Sequence, residues 1–243
     1  MRYFAVRNLK EMLRDKLNLA FGLGFPILVL LLLTLIQSNI PVSMFELDQL
    51  TPGIAVFGLS FISLFSGMLL ARDRGESFLM RLYSSPLRPA DYILGYILPI
   101  FPLGLGQVLC CFVVALLLGL KASVNLLMCL LTCVPAVLLF EGIGMLCGSC
   151  LTDKQVGSVC GALLTNISAW LSGTWFDVSL LGGTVKKIAM ALPFANAVEA
   201  GRAALGGRWE EILGYLWIVI AYAVLVLAAA VLVFRGKMRG DKK

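Results

Sequence analysis

One formal charge interrupts the long apolar window at residues 122–152 of this sequence, and it is Glu141. An unpaired acid in the middle of a membrane helix costs about 2.5 kcal/mol or more. Such a group can serve as a proton or cation site or as a substrate contact, or it can be a hydrogen-bonded acid near a helix end. Gln107 and Asn166 are milder cases. Polar side chains of this kind join helices, at about 0.6 kcal/mol each, or line a path. Cys147 and Cys150 form a C-x-x-C, with five further cysteines at 110, 111, 129, 133 and 160. That pair could be redox-active or half a metal site, but an odd number of thiols in apolar stretches reads as buried and inert. The sequence has no histidine. Ser-His-Asp and Cys-His catalysis, His-ligated zinc and His-ligated haem are thereby excluded. It also has no G-x-x-x-x-G-K-[ST], so ATP cannot be bound through a P-loop. The chain is expected to carry no catalytic, metal-ligating or cofactor-binding residue of its own and not to be an enzyme.

The elements that position these residues follow from composition. Sixty per cent of the 243 residues are hydrophobic, 14% are charged, and mean hydropathy is +0.93. Soluble domains carry about 25% charged residues, so this chain is read as an all-α integral membrane protein. Windows free of charge cover 17–45, 49–71, 92–120, 155–176 and 212–234, and 122–152 holds only Glu141. Each can cross a bilayer. Six spans are expected at roughly 20–37, 51–70, 92–119, 124–149, 155–176 and 212–234. With six spans both termini share a side, and fifteen of the twenty basic residues then fall on that side. The positive-inside rule makes it cytoplasmic, in a multi-pass protein of the plasma membrane. The net charge of +6 is explained by this bias, so no nucleic-acid partner is expected.

Residues 1–19 interleave Arg2, Arg7, Lys10, Arg14 and Lys16 with Val6, Leu9, Leu13 and Leu17. One face is greasy and its neighbour basic, the pattern of a helix lying in the interface plane. The charged stretch is too long for a signal peptide, and no cleavage site follows it. Pro26, Pro99, Pro102 and Pro135 interrupt spans, and kinks are expected there. Small residues Gly157, Gly161 and Ala162 on span five allow close helix approach. The two halves show no repeat, which speaks against an inverted-repeat transporter.

Two segments outside the spans are informative. In 71–91, Phe78, Leu79, Leu82 and Tyr83 share one face of a short helix that Ser84-Ser85-Pro86 would stop. Such a helix can float on headgroups or insert into a groove of a soluble partner. In 177–211, Lys186-Lys187 and Glu210-Glu211 bracket an apolar run broken by Pro193, Glu199 and Arg202. From Pro193, a suitable first-turn residue, Phe194, Ala197, Val198, Gly201, Ala204 and Leu205 line one face. Glu199 and Arg202 can pair on the other, and Gly206-Gly207 ends the helix. The segment reads as a helix that dips into the outer leaflet and returns.

Arg72-Asp73-Arg74-Gly75, Leu82, Ser85-Pro86 and Leu94-Gly95 match, in order, the loop signature of the ABC-2 type transporter permease family, and residues 193–207 are similar to that family's hallmark before its last span. Tyr96 stands where the family often has a basic residue, and Asp73 where Glu is more usual. The resemblance covers essentially the whole chain. It implies one domain over 1–243: an interfacial connecting helix (1–19), spans one to five (20–176), an external re-entrant segment (177–211), span six (212–234) and a basic cytoplasmic tail (235–243). It implies a coupling helix at 72–83, with Arg72, Asp73, Arg74, Gly75, Glu76, Phe78, Leu82 and Tyr83 toward a separate ATP-binding cassette ATPase subunit. ATP and magnesium would reside on that partner and no cofactor on this chain. Pro193, Phe194, Glu199 and Arg202 would belong to the external gate. Spans one, two and five would line the path where a second permease copy or paralogue joins. The function so implied is export of a hydrophobic or amphipathic substrate. Two other classes fit less well. A stand-alone secondary transporter would have to rely on Glu141, and a membrane-embedded lipid-modifying enzyme would need clustered acids or metal ligands that the sequence does not assemble.

Overall fold

The computed structural model describes residues 2–41, 43, 45–76, 88–175 and 182–240. Among them all regular structure is helical: α1 (Arg2–Arg14), α2 (Lys16–Leu19), α3 (Phe25–Gln37), α4 (Leu47–Gly75), α5 (Pro89–Leu117), α6 (Val124–Cys150), α7 (Asp153–Ser158), α8 (Thr165–Leu171), α9 (Gly183–Ala191), α10 (Pro193–Leu205) and α11 (Trp209–Gly240). Five helical stretches among the described residues are long and apolar enough to cross a membrane: Lys16–Gln37, α4, α5, α6 and Trp209–Met238. The expected fifth span differs. It is a broken helix over 153–171, made of α7, a π-helical turn at Val159–Leu164 and α8. It carries Lys154, Gln155 and Asn166, and its nineteen residues rise only about 28 Å.

The first span is broken in the same way. A π turn at Ala20–Gly24 precedes Phe25-Pro26. Proline has no N–H and its ring crowds the carbonyl four residues back, so the turn before it widens. In the other break the Thr165 hydroxyl donates to the Cys160 carbonyl at 2.9 Å, taking up an acceptor that the wide turn frees.

α4 is the centre of the bundle. In its most apolar stretch 78% of residues are buried, against 17% in the first span and in α11. What lets α4 meet α6 so closely is small residues on both. A Cβ on Gly144 would sit 2.4 Å from the Ser63 carbonyl oxygen, and one on Gly148 would sit 2.5 Å from that of Gly67. Two small-x-x-x-small pairs, Ser63/Gly67 and Gly144/Gly148, therefore bring backbone against backbone, where van der Waals packing is the main attraction in lipid. The small residues expected to do this on span five, Gly157 and Gly161, have open space or only Leu64 beside them.

α1 turns Val6 and Leu13 outward, exposed as is Leu17 of α2, while Phe4, Asn8 and Met12 are buried. Phe4 stacks edge-on to Tyr96 and Tyr92, with ring centroids 5.0 and 6.2 Å away, and Tyr92 meets Phe234 at 5.7 Å. The N-terminal helix and the end of α11 thus share one end of the bundle, here termed the basic end.

Candidate coupling site and transport path

The segment Arg72-Asp-Arg-Gly does not open a separate helix. It forms the last turn of α4, and the chain leaves helical geometry at Glu76. The expected coupling helix 72–83 is corrected accordingly: residues 72–75 belong to the span, and Phe78, Leu82 and Tyr83 lie outside the described residues. Successive residues on a helix point about 100° apart, so the three charged side chains diverge.

Asp73 points inward and is 1% exposed. Arg7 of α1 grips it with both guanidinium nitrogens, Nη2 at 2.9 Å and Nη1 closer still. The Tyr96 hydroxyl of α5 donates to the same carboxylate at 2.6 Å. Burial opposes the Arg7 charge. The hydrogen bonds and charge of Asp73, with smaller pulls from Tyr96 and Glu11, outweigh it and raise the Arg7 pKa above its ordinary value. Beside this cluster Asn8 donates to the Gly95 carbonyl at 3.0 Å. Position 95 must be glycine, because a Cβ there would fall 2.4 Å from the Phe4 ring. The two departures from the family pattern, Asp73 and Tyr96, therefore meet: a shorter acid is completed by a phenol. Nothing in their sequence spacing announced that contact.

Arg74 turns the other way. Its Nη1 donates to the Gly148 carbonyl at 2.6 Å and to that of Leu151 at 3.3 Å. These are acceptors at the C-terminus of α6, where a cation also complements the helix dipole. Arg72 and Glu76 are exposed.

At the opposite end, Arg202 of α10 is 7% exposed. It donates from Nε to the Gln49 carbonyl at 3.0 Å, from Nη2 to the Gly173 carbonyl at 2.8 Å and from Nη1 to Glu199 at 2.9 Å. The pair with Glu199 forms, but on a face packed against α4 and the end of α8, not a solvated one. Pro193 opens α10, and Phe194 is buried against Phe140 with centroids 5.5 Å apart. Asn196 caps the end of α9, donating to the carbonyls of Met190 and Leu192.

Of Glu141, Gln107 and Asn166, it is Asn166 that borders an open cavity. Phe25, Phe57, Phe61, Thr165, Asn166, Trp170 and Trp175 line a space of about 480 Å³ bounded by the first, second and broken fifth spans. Its rings are in contact: Phe25–Phe61 at 5.4 Å, Phe57–Phe61 at 5.7 Å and Phe57–Trp175 at 5.4 Å. None of these lining residues, all among the described ones, is charged. Glu141 and Gln107 are fully buried away from it. A Cβ on Gly104 of α5 would lie 3.7 Å from Glu141 Oε1, and Gln107 presses on Gly58 of α4 while donating to Cys111 Sγ at 3.3 Å. Neither Glu141 oxygen has a hydrogen-bond partner among the described residues. No group of three or more Cys, Asp or Glu able to hold a metal occurs among the described residues, and Cys150, exposed, stands apart from half-buried Cys147 in accessibility.

The architecture defines a multi-pass, all-helical membrane protein whose N-terminal helix is tied to the ends of two spans. Its sequence matches the family model described as ABC-2 type transporter over residues 1–205, and the chain belongs to that family. Among curated proteins and solved structures nothing matches the chain. As a member it is a membrane component of an ABC transporter, not itself an enzyme.

Proposed function

We propose that this chain is the permease subunit of an ATP-driven exporter of hydrophobic or amphipathic cargo. The observation that carries the reading is the aromatic cavity between the first, second and fifth spans, which has no charge among its described lining residues. Its described lining comes from these spans and Trp175, and the first span that borders it is among the least covered. A second permease copy or a paralogue completes the wall. An apolar cavity rich in aromatic rings binds by area and ring stacking, without the cost of desolvating a charge.

A separate ATP-binding cassette ATPase, carrying ATP and magnesium, docks at the basic end. The segment after α4, with Phe78, Leu82 and Tyr83, seats in its groove, and the Arg7–Asp73–Tyr96 cluster passes the movement to α1, α4 and α5. ATP binding shifts the population between inward- and outward-open states through these contacts. The broken helix over 153–171 serves as a sixth span. Helices α9 and α10 form the external re-entrant gate, and both termini are cytoplasmic in the plasma membrane.

The test is co-purification of the tagged chain with candidate ABC ATPases, followed by ATP turnover and dye export in proteoliposomes. Phe61→Ala is expected to lower export at least tenfold while the ATPase remains bound, and Phe78→Glu with Leu82→Glu to release the ATPase. Dye movement by the chain alone without ATP overturns the reading and brings Glu141 forward as the coupling site.

A further inference from the structure

A second cavity, of about 250 Å³, lies where α1 and α2 meet the basic end of α4. Its lining includes Glu11, Arg14 and Asp15 from the N-terminal segment and Arg72, Phe65 and Leu69 from α4. Arg72 closes the charge-free stretch 49–71, so it marks headgroup depth on that side of the bundle. Phe65 is seven residues earlier, about 10 Å deeper along the helix, at the depth of acyl chains. The cavity therefore runs from headgroup level into the hydrocarbon, polar above and apolar below.

The charges at its mouth are two positive and two negative. Glu11 lies 3.8 Å from Arg14, a loose pair, and Asp15 holds the start of α2 through Asn18. Neither contact uses up the capacity of a carboxylate, which has about four lone-pair directions. The side chains of both arginines are exposed. A zwitterionic headgroup fits this set. Its phosphate pairs with guanidinium groups in the geometry they favour. Its ammonium meets the acids. An anionic headgroup would satisfy the arginines but face two carboxylates. A quaternary ammonium would meet the acids without a hydrogen to donate.

We propose that this cleft is a binding site for a phospholipid with a primary-amine headgroup. Arg14 and Arg72 hold its phosphate, Glu11 and Asp15 its ammonium, and Phe65 and Leu69 its acyl chains. The lipid wedges α1 against α4 beside the Arg7–Asp73 contact.

Native mass spectrometry of the full chain, purified in mild detergent and offered equal amounts of phosphatidylethanolamine, phosphatidylglycerol and phosphatidylcholine, tests it. Retention of phosphatidylethanolamine at least fivefold above each of the others is expected. Glu11→Gln with Asp15→Asn, which keeps a competent cap, is expected to abolish the preference over phosphatidylcholine and raise phosphatidylglycerol. Arg72→Gln is expected to lower retention of phosphatidylethanolamine at least threefold. Equal retention of the three lipids, preference for phosphatidylglycerol, or a preference unchanged in the double variant overturns the proposal. Neither ATPase nor transport enters the readout, so failure here leaves the permease reading standing.

Discussion

The two ends of the bundle are each held by an arginine, and the two are held differently. At the basic end Arg7 meets the Asp73 carboxylate, 66 residues away in sequence, and the Tyr96 phenol, 23 residues from Asp73, donates to the same carboxylate, so every partner is a side chain. The side chain of Arg7 keeps 32% of its surface exposed. At the opposite end Arg202 donates to two main-chain carbonyls and one acid, and is almost wholly enclosed. Carbonyls at helix ends cannot move without moving their helices. A side-chain pair can part, turn to water and form again. The difference fits a bundle whose far end is a fixed brace and whose basic end can transmit a movement.

The comparison breaks first at Arg202, where the largest effect is expected. Arg202→Ala leaves half-buried Glu199 without its cation and two carbonyls without donors, and removing one member of a buried pair costs up to about 3–5 kcal/mol. Thermal unfolding in detergent should show a marked drop in midpoint, only partly restored in Arg202→Lys, since an ammonium cannot reproduce a three-way planar fork. An unchanged midpoint would show that the far end is not braced by this residue.

Most of this architecture was legible in the sequence, and the reasons for the rest are physical. Charge-free windows gave spans because lipid tolerates few charges, and all five long stretches fell where spans were expected. Helix-to-helix contacts were not legible, because they depend on which faces meet. Gly144 and Gly148, spaced as a close-approach pair, were there to be read, but so were Gly157 and Gly161, and only packing decides between them. The family resemblance placed Asp73 toward a separate ATPase. Its neighbours Arg72 and Arg74 face elsewhere, and burial of the middle residue follows only once α4 is seen to continue to Gly75. Arg202 was seen as a partner of Glu199, but not its carbonyl acceptors, since main-chain positions leave no mark in a sequence.

A smaller effect is expected at the basic end. Asp73→Asn preserves shape and an acceptor for Tyr96 but removes the charge facing Arg7, which can turn to solvent. The cost is about 1–2 kcal/mol, reduced from that of a fully buried pair by the exposure of Arg7. Hydrogen exchange should quicken through α1 while α10 keeps its protection, and Arg202→Ala should produce the reverse. Equal loosening at both ends by either variant would erase the distinction between brace and transmitter.

The smallest effect is the sharpest. Tyr96→Phe removes one hydroxyl and leaves the Arg7 contacts of Asp73 intact, so about 1 kcal/mol is expected, within the range for a hydrogen bond whose acceptor keeps other donors. If Asp73 and Tyr96 act together, the loss should shrink when Asp73 is already Asn, because the bond is then neutral and weaker. A double-mutant cycle is expected to give a coupling of about 0.5–1 kcal/mol. Zero coupling would mean that the phenol is held by its packing against Phe4, with centroids 5.0 Å apart, and that the acid depends on Arg7 alone. Coupling of the expected size would make the short acid and the phenol one compensated unit, so that restoring Glu at 73 without removing the phenol should crowd the site and lower stability.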